Sequence, residues 1–284
     1  MTLTATTRLA GVVGHPIAHS LSPVLHNAWI EAAGLDGAYL AFSVLPERFA
    51  AFVDGFRGGS LAGLNVTLPF KTDALAAADQ ASERALAAGA ANLLVFRQDG
   101  TVAADNTDGE GLLYAFARQA PGFRPDRGPA VLFGAGGAAR GAAATFLAAG
   151  CPEVRIVNRT RTRAEALSKA LGGPIRIFDL PDAAAALDGA AALINASSAG
   201  LGEAAAPPPD MTAAPDHAVV MDMTYRPLRT AFLLAGAARG LATVDGLDML
   251  IGQAMPAFEA FFGQKPPADC DVRGRVLRIL GDAE

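Results

Sequence analysis

A chain of 284 residues, 51% hydrophobic and 18% charged, holds apolar material for one large or two modest cores, which excludes a disordered or fibrous protein. Its net charge of -5 excludes a surface built to neutralise nucleic-acid phosphates. Cys151 and Cys270 stand far apart and Pro16 separates His15 from His19, so neither a disulfide framework nor a metal site is expected.

Residues 1–8 lack the apolar core of a signal peptide, and no later run of roughly 20 apolar residues could span a bilayer, so a cytoplasmic chain without membrane contact is expected. Residues 9–14 then read as a short apolar strand, residues 22–33 as a helix and residues 38–44 as a second strand, a βαβ rhythm. Pro23 at the helix start makes Ser22 a natural N-cap. That leaves Ser20 beside it, and two hydroxyls near a helix start can cradle a carboxylate.

The rhythm continues with a helix over residues 49–57, a strand over 63–67 and a helix from 71 to 77. Alternation puts Asn65 and Thr67 on one strand face. Lys71 sits at a helix start, where the dipole disfavours its charge, which suits a proton donor; taken alone it reads first as a surface lysine. Strands over 92–97 and 101–104 flank the turn Asp99-Gly100. Asn92 lies in an apolar setting and needs hydrogen-bond partners, which a polyol could supply. In Asp105-Asn106-Thr107-Asp108-Gly109 one aspartate can cap the helix over 107–119 while the other stays free, although a turn plus a cap explains the cluster by itself.

The Pro- and Gly-rich residues 121–129 mark a domain edge, after which strands over 130–133, 154–157, 175–178, 191–195 and 218–221 alternate with helices over 137–149, 163–171 and 232–239. The first of these strands runs into Gly134-Ala135-Gly136-Gly137-Ala138-Ala139, a Gly-x-Gly-x-x-Ala turn opening a helix. There, backbone without side chains lets a pyrophosphate reach the positive end of the helix dipole; the competing reading is a tight turn with glycines only for packing. About 20 residues on, where an acid would bind the ribose diol of NAD, the chain reads Asn158-Arg159-Thr160-Arg161-Thr162-Arg163. Guanidinium groups favour the extra phosphate of NADP, against the alternative of a solvated basic helix start. A low-complexity loop over 203–210 and helices over 249–262 and 272–280 complete the chain.

The segments HSLSP, NVTLPFK, ADNTDG, GAGGAAR, NRT, NASSAG, DMTYRP and DGLDMLIGQA occur in the order seen in shikimate dehydrogenases, and the chain resembles that family over nearly its full length. The resemblance implies two α/β domains: an N-terminal substrate domain with a mostly parallel sheet, residues 1–109 with 247–284 packing back on it, and a Rossmann-type NADP-binding domain, residues 110–246. It implies reversible, NADP-dependent reduction of 3-dehydroshikimate to shikimate in aromatic amino acid biosynthesis, by a monomer or homodimer. Lys71 and Asp108 would be the catalytic pair. Ser20 and Ser22 would hold the substrate carboxylate; Thr67, Asn92, Asp108 and Gln253 the ring hydroxyls; and Tyr225 would close the pocket. NADP would contact Gly134, Ala135, Gly136, Gly137, Ala138, Asn158, Arg159, Thr160, Arg163, Met223 and Gly246.

Three positions depart from the family pattern: Leu93, Asp248 and Pro256. All three are expected near the pocket, and Leu93 and Asp248 motivate an alternative, a paralogue acting on quinate or an amino analogue of shikimate. Asp248 also reads as a surface substitution or as an N-cap for the helix from Met249. A non-catalytic nucleotide-binding module is the alternative from another class; the presence of both Lys71 and Asp108 opposes it.

Overall fold

The computed structural model describes residues 3–197 and 207–281; residues 198–200 of the NASSAG segment and 203–206 of the low-complexity loop lie outside them. Contacts divide the chain into two units, one of residues up to Asp108 together with those from Ile251 onward, the other Gly109–Leu250.

The first unit carries β1 (Arg8–Gly14), α1 (Ser22–Ala32), β2 (Gly37–Ser43), α2 (Phe49–Asp54), β3 (Leu61–Val66), α3 (Lys71–Ala77), β4 (Gln80–Ala81), α4 (Glu83–Ala88), β5 (Leu93–Phe96) and β6 (Val102–Asp105). Its sheet has the order β2-β1-β3-β5-β6-β4. All neighbours pair in parallel except β5, which is antiparallel to both β3 and β6. The mostly parallel sheet follows from the long helical crossovers; the one reversed strand follows from the tight turn at Asp99-Gly100. On one face Val13, Leu64, Val66, Phe70, Leu94 and Val102 are buried together.

The second unit opens with α5 (Asp108–Gln119), followed by β7 (Ala130–Phe133), α6 (Gly137–Ala148), β8 (Val154–Val157), α7 (Arg161–Leu171), β9 (Ile175–Phe178), α8 (Ala183–Leu187), β10 (Ala192–Asn195), β11 (Val219–Asp222), α9 (Ala231–Ala238) and β12 (Ala242–Val244). The wholly parallel sheet runs β12-β11-β10-β7-β8-β9, the doubly wound order, with its switch point between β7 and β10. Period-two alternation sorts each strand: Ala130, Leu132, Ala192 and Ile194 pack with Phe116 and Phe146 on one side, while Val131, Phe133 and Leu193 pack with Leu187 and Phe232 on the other. Helix α10 (Gly246–Phe262) starts in this unit and ends in the first, continuing through Pro256, and α11 (Val272–Leu280) closes the described chain. Among the described residues no helix is long and apolar enough to cross a membrane.

Candidate active site

In the first unit β1, β3 and β6 end at the sheet edge where the reversed β5 begins, and loop backbone ties these ends together. The Thr67 N–H donates to the Val13 carbonyl (3.0 Å) and the His15 N–H to the Leu68 carbonyl (3.1 Å), joining the loops after β1 and β3. The Ala91 N–H donates to the Lys71 carbonyl (2.8 Å). Asn92 then receives the Val66 N–H at its carbonyl (2.8 Å) and donates its own N–H to the Asp105 carbonyl (3.0 Å). Residues from four separate segments therefore meet around Asn92.

Their side chains form one connected group. Lys71 Nζ donates to Asp108 Oδ2 at 2.5 Å, and Asp108 Oδ1 accepts from Asn92 Nδ2 at 2.9 Å. The same amide nitrogen lies 3.0 Å from Thr107 Oγ1 and 3.2 Å from Gln253 Oε1, so three acceptors share two amide hydrogens. The surplus of acceptors suits a ligand that brings hydroxyl protons. Thr107, fully buried, completes the frame: its N–H donates to Asn92 Oδ1 (2.8 Å) and its hydroxyl to the Gln253 carbonyl (2.9 Å). The Lys71 and Asp108 side chains are 28% and 20% exposed, so a ligand can reach them while the groups behind stay dry. A carbonyl oxygen gaining negative charge beside Lys71 would meet both a counter-charge and a proton.

Local structure corrects one capping expectation. Ser22 is the first residue of α1, whose N-cap position is Leu21 with no side-chain cap bond; the Ser22 N–H instead donates to Ser20 Oγ at 3.3 Å. Ahead of α5, Asn106 Oδ1 accepts the Asp108 N–H (3.1 Å). Asp105 is bound by Ser82 Oγ (2.5 Å) and Arg84 Nε (2.6 Å); burial pushes its carboxyl up, but the bonds from Arg84, Ser82 and the Asn106 N–H outweigh that and hold it below the usual range. Asp108 is thereby the aspartate free to meet Lys71. Thr107 was not singled out from sequence as a functional residue; its position inside the cluster around Asn92 was the available signal.

The second unit holds the glycine turn at the end of β7, at the switch point of its sheet. Gly134 has φ +124°, and a Cβ there would lie 3.0 Å from the Ala196 carbonyl oxygen, so only glycine fits. Gly136 is the N-cap of α6 with no side-chain cap, and a Cβ on Gly136 or Gly137 would stand in open space. The first turn of α6 is therefore an uncovered cradle of N–H groups of the kind that fits a pyrophosphate. After β8, Asn158 Nδ2 donates to the Thr160 carbonyl (2.8 Å) and no carboxylate occupies the position that would repel a ribose phosphate. Arg161 is engaged by Glu165 (3.1 Å) and Asp179 (3.0 Å), whereas the exposed Arg159 and Arg163 have no ion-pair partner among the described residues. These residues fit NADP.

Buried polar bonds also tie two further motifs of this unit together. Asn195 Nδ2 donates to Asp222 Oδ2 (2.9 Å), which also receives the Thr230 hydroxyl (2.7 Å), joining the ends of β10 and β11. Met223 follows directly, and Gly246 lies against it so closely that a Cβ would come within 2.6 Å of the Met223 carbonyl oxygen. Tyr225, partly buried, stands two residues beyond Met223 in this same unit.

The three departures from the family pattern have separate settings. Asp248 is 4% exposed in the first turn of α10 and accepts a hydrogen bond from Gln119 Nε2 at 2.8 Å, so it is neither a surface substitution nor an N-cap. Leu93 and Pro256 line a cavity with Ser82, Arg84, Asp105 and Ala260, to which neither Lys71 nor Asp108 contributes. The observations that motivated a quinate or amino-analogue paralogue thus lie with other partners.

Three family models match the chain: "Shikimate dehydrogenase substrate binding domain" over residues 12–94, "Shikimate / quinate 5-dehydrogenase" over 123–202 and "Shikimate 5'-dehydrogenase C-terminal domain" over 246–271. The chain is 54% identical over 280 residues to the shikimate dehydrogenase (NADP(+)) of Caulobacter vibrioides, covering 99% of this chain and 98% of that relative. It is 46% identical to the enzyme of the same name from Paracoccus denitrificans, covering 95% of each. Among solved structures, shikimate 5-dehydrogenase from Thermus thermophilus in complex with NADP(H) and shikimate matches with a TM-score of 0.84 at 36% identity, covering 96% of this chain and 99% of that one.

Proposed function

The chain belongs to the shikimate dehydrogenase family, and from that premise we propose that Lys71 and Asp108 carry its chemistry. The protein is an NADP-dependent oxidoreductase that reversibly reduces 3-dehydroshikimate to shikimate in aromatic amino acid biosynthesis. The observation that supports the assignment of the pair is the Lys71 Nζ–Asp108 Oδ2 contact of 2.5 Å, joined through Asn92 to Gln253.

NADPH, when bound, supplies the hydride. Lys71 stabilises the oxygen that gains negative charge and gives it a proton, and Asp108 holds the ammonium and accepts from a ring hydroxyl. Asn92, Thr67 and Gln253 present donors and acceptors to the remaining hydroxyls, and Ser20 and Ser22 hold the carboxylate. We assign Tyr225 to substrate binding as well. Gly134, Ala135, Gly136, Gly137 and Ala138 form the pyrophosphate cradle; Asn158, Arg159, Thr160 and Arg163 receive the ribose phosphate; Met223 and Gly246 line the nicotinamide end. We place the enzyme in the cytoplasm as a monomer or homodimer, in keeping with its two free cysteines.

Adding shikimate and NADP+ to the pure, folded protein is expected to produce NADPH absorbance, and its absence would defeat this reading. Arg159→Ala is expected to raise the KM for NADP+ roughly tenfold while leaving the weaker use of NAD+ unchanged, as loss of a charge-assisted bond to the ribose phosphate requires. An equal loss with both cofactors would remove Arg159 from the phosphate site.

A further inference from the structure

Tyr39 lies in the middle of β2, two strands away from β3, and is 1% exposed. Its row across the sheet continues through Ala10 of β1 and Gly63 of β3, residues too small to block it. The phenol therefore reaches over β1, and its hydroxyl donates to Asn65 Oδ1 at 2.7 Å. His26 stacks on the ring at 4.0 Å with planes 3° apart, and Phe261 flanks it at 6.3 Å. The backbone of Tyr39 is held as well, by Asn27 Oδ1 at its N–H (3.0 Å) and Asn27 Nδ2 at its carbonyl (2.8 Å).

We propose that Tyr39 is a positioning residue for the reaction: its hydroxyl anchors the Asn65 amide oxygen, and through that amide the Asn92 segment that holds Asp108. Asn65 is 5% exposed, and an amide in such a place can be seated either way round unless a neighbour decides. The Asn92 carbonyl, 3.3 Å away, can only accept and so takes Nδ2, which leaves Oδ1 facing the Tyr39 hydroxyl; the phenol donates to it and completes the seat of the amide. Burial pushes the Tyr39 phenol well above its usual range, so it stays a donor at every working pH. From Asn92 the connection runs through Nδ2 to Asp108 Oδ1 and Gln253 Oε1.

This inference rests on the reading of Lys71, Asn92, Asp108 and Gln253 given above. Its test compares shikimate and NADP+ kinetics in the parent enzyme, Tyr39→Phe, Asn65→Ala and the double variant. Tyr39→Phe is expected to raise the shikimate KM roughly tenfold by orphaning a buried acceptor, with the NADP+ KM unchanged. In the Asn65→Ala background the same change is expected to add no more than about twofold, because the relay is already cut. A folded Tyr39→Phe enzyme with the parent's shikimate KM, or an effect that multiplies in full with Asn65→Ala, overturns the proposal. Asn65→Ala alone leaves the aromatic layer intact, so an unchanged shikimate KM in that variant overturns it even if Tyr39→Phe does not fold. A parent enzyme that fails to oxidise shikimate at all defeats the underlying functional reading instead.

Discussion

Replacing Lys71 by methionine is expected to lower kcat roughly 10²- to 10⁴-fold, the range for losing a positioned proton donor. Methionine keeps length and loses the ammonium, so Asp108 Oδ2 loses its 2.5 Å partner while Oδ1 keeps the bond from Asn92. Because Lys71 is in the first unit and the glycine turn and arginines are in the second, NADP+ binding should be unaffected. Lys71→Arg separates the two contributions of the lysine. A guanidinium restores the positive charge beside Asp108 but does not release a proton near neutral pH, so shikimate binding should recover and kcat should not. Steady-state rates at saturating shikimate and NADP+, with cofactor affinity measured separately, decide the matter. A kcat within about tenfold of the parent in Lys71→Met would take Lys71 out of the proton-transfer role.

The second large effect concerns stability in acid. His26 is completely buried among Trp29, Tyr39, Phe258 and Phe261, and neither ring nitrogen has a hydrogen-bond partner among the described residues. Burial alone lowers its pKa from 6.5 to about 3. The unfolded chain therefore takes up the proton first, so the neutral ring's contribution is complete above pH 6.5 and is lost as pH falls toward 3. At about 1.4 kcal/mol per pH unit, the loss at pH 4.5 is roughly 3 kcal/mol relative to pH 7.5. Asp105, held below the usual carboxylate range, behaves separately: its contribution is lost only below its ordinary value of 3.8. His26→Phe is expected to remove most of the pH 7.5 to 4.5 difference, whatever the larger ring costs at both pH values. Trp29, the chain's one tryptophan, sits 5.5 Å from His26 and reports unfolding of this unit by fluorescence. Equal sensitivity to denaturant at the two pH values in the parent protein would contradict the argument.

The elements that sequence reading found were those with a strong periodic signal. The parallel strands β7, β8 and β9 and the helix α11 fall where apolar runs and helical spacing put them. The short pieces escaped: β4 has two residues, α8 is built almost wholly of alanine, and β12 has three, too few for any period to register. Helix α4 hides in the same way within an alanine-rich stretch, although Ser82 caps it by accepting the Ala85 N–H at 3.1 Å. Ser22 beside Pro23 satisfies the local rule for an N-cap, but α1 begins at Ser22 itself with Leu21 at the cap position. The arginine that engages Asp105 lies outside any local window.

Lys71 and Asp108 show the division most clearly. By itself the chain determined the two α/β units, the glycine turn that only glycine can make and the arginines in place of an acid, because backbone geometry and side-chain period are written within a few neighbouring residues. The same local sequence left Lys71 readable as a surface lysine and Asp108 as part of a turn. Only the tertiary structure decided that Asp105 goes to Arg84 while Asp108 goes to Lys71, that Asp248 goes to Gln119, and that Tyr39 reaches Asn65. Each of those choices joins residues tens of positions apart in the chain. A hydrogen-bonding side chain gives no sign in sequence of which distant partner the strand order will bring within 3 Å.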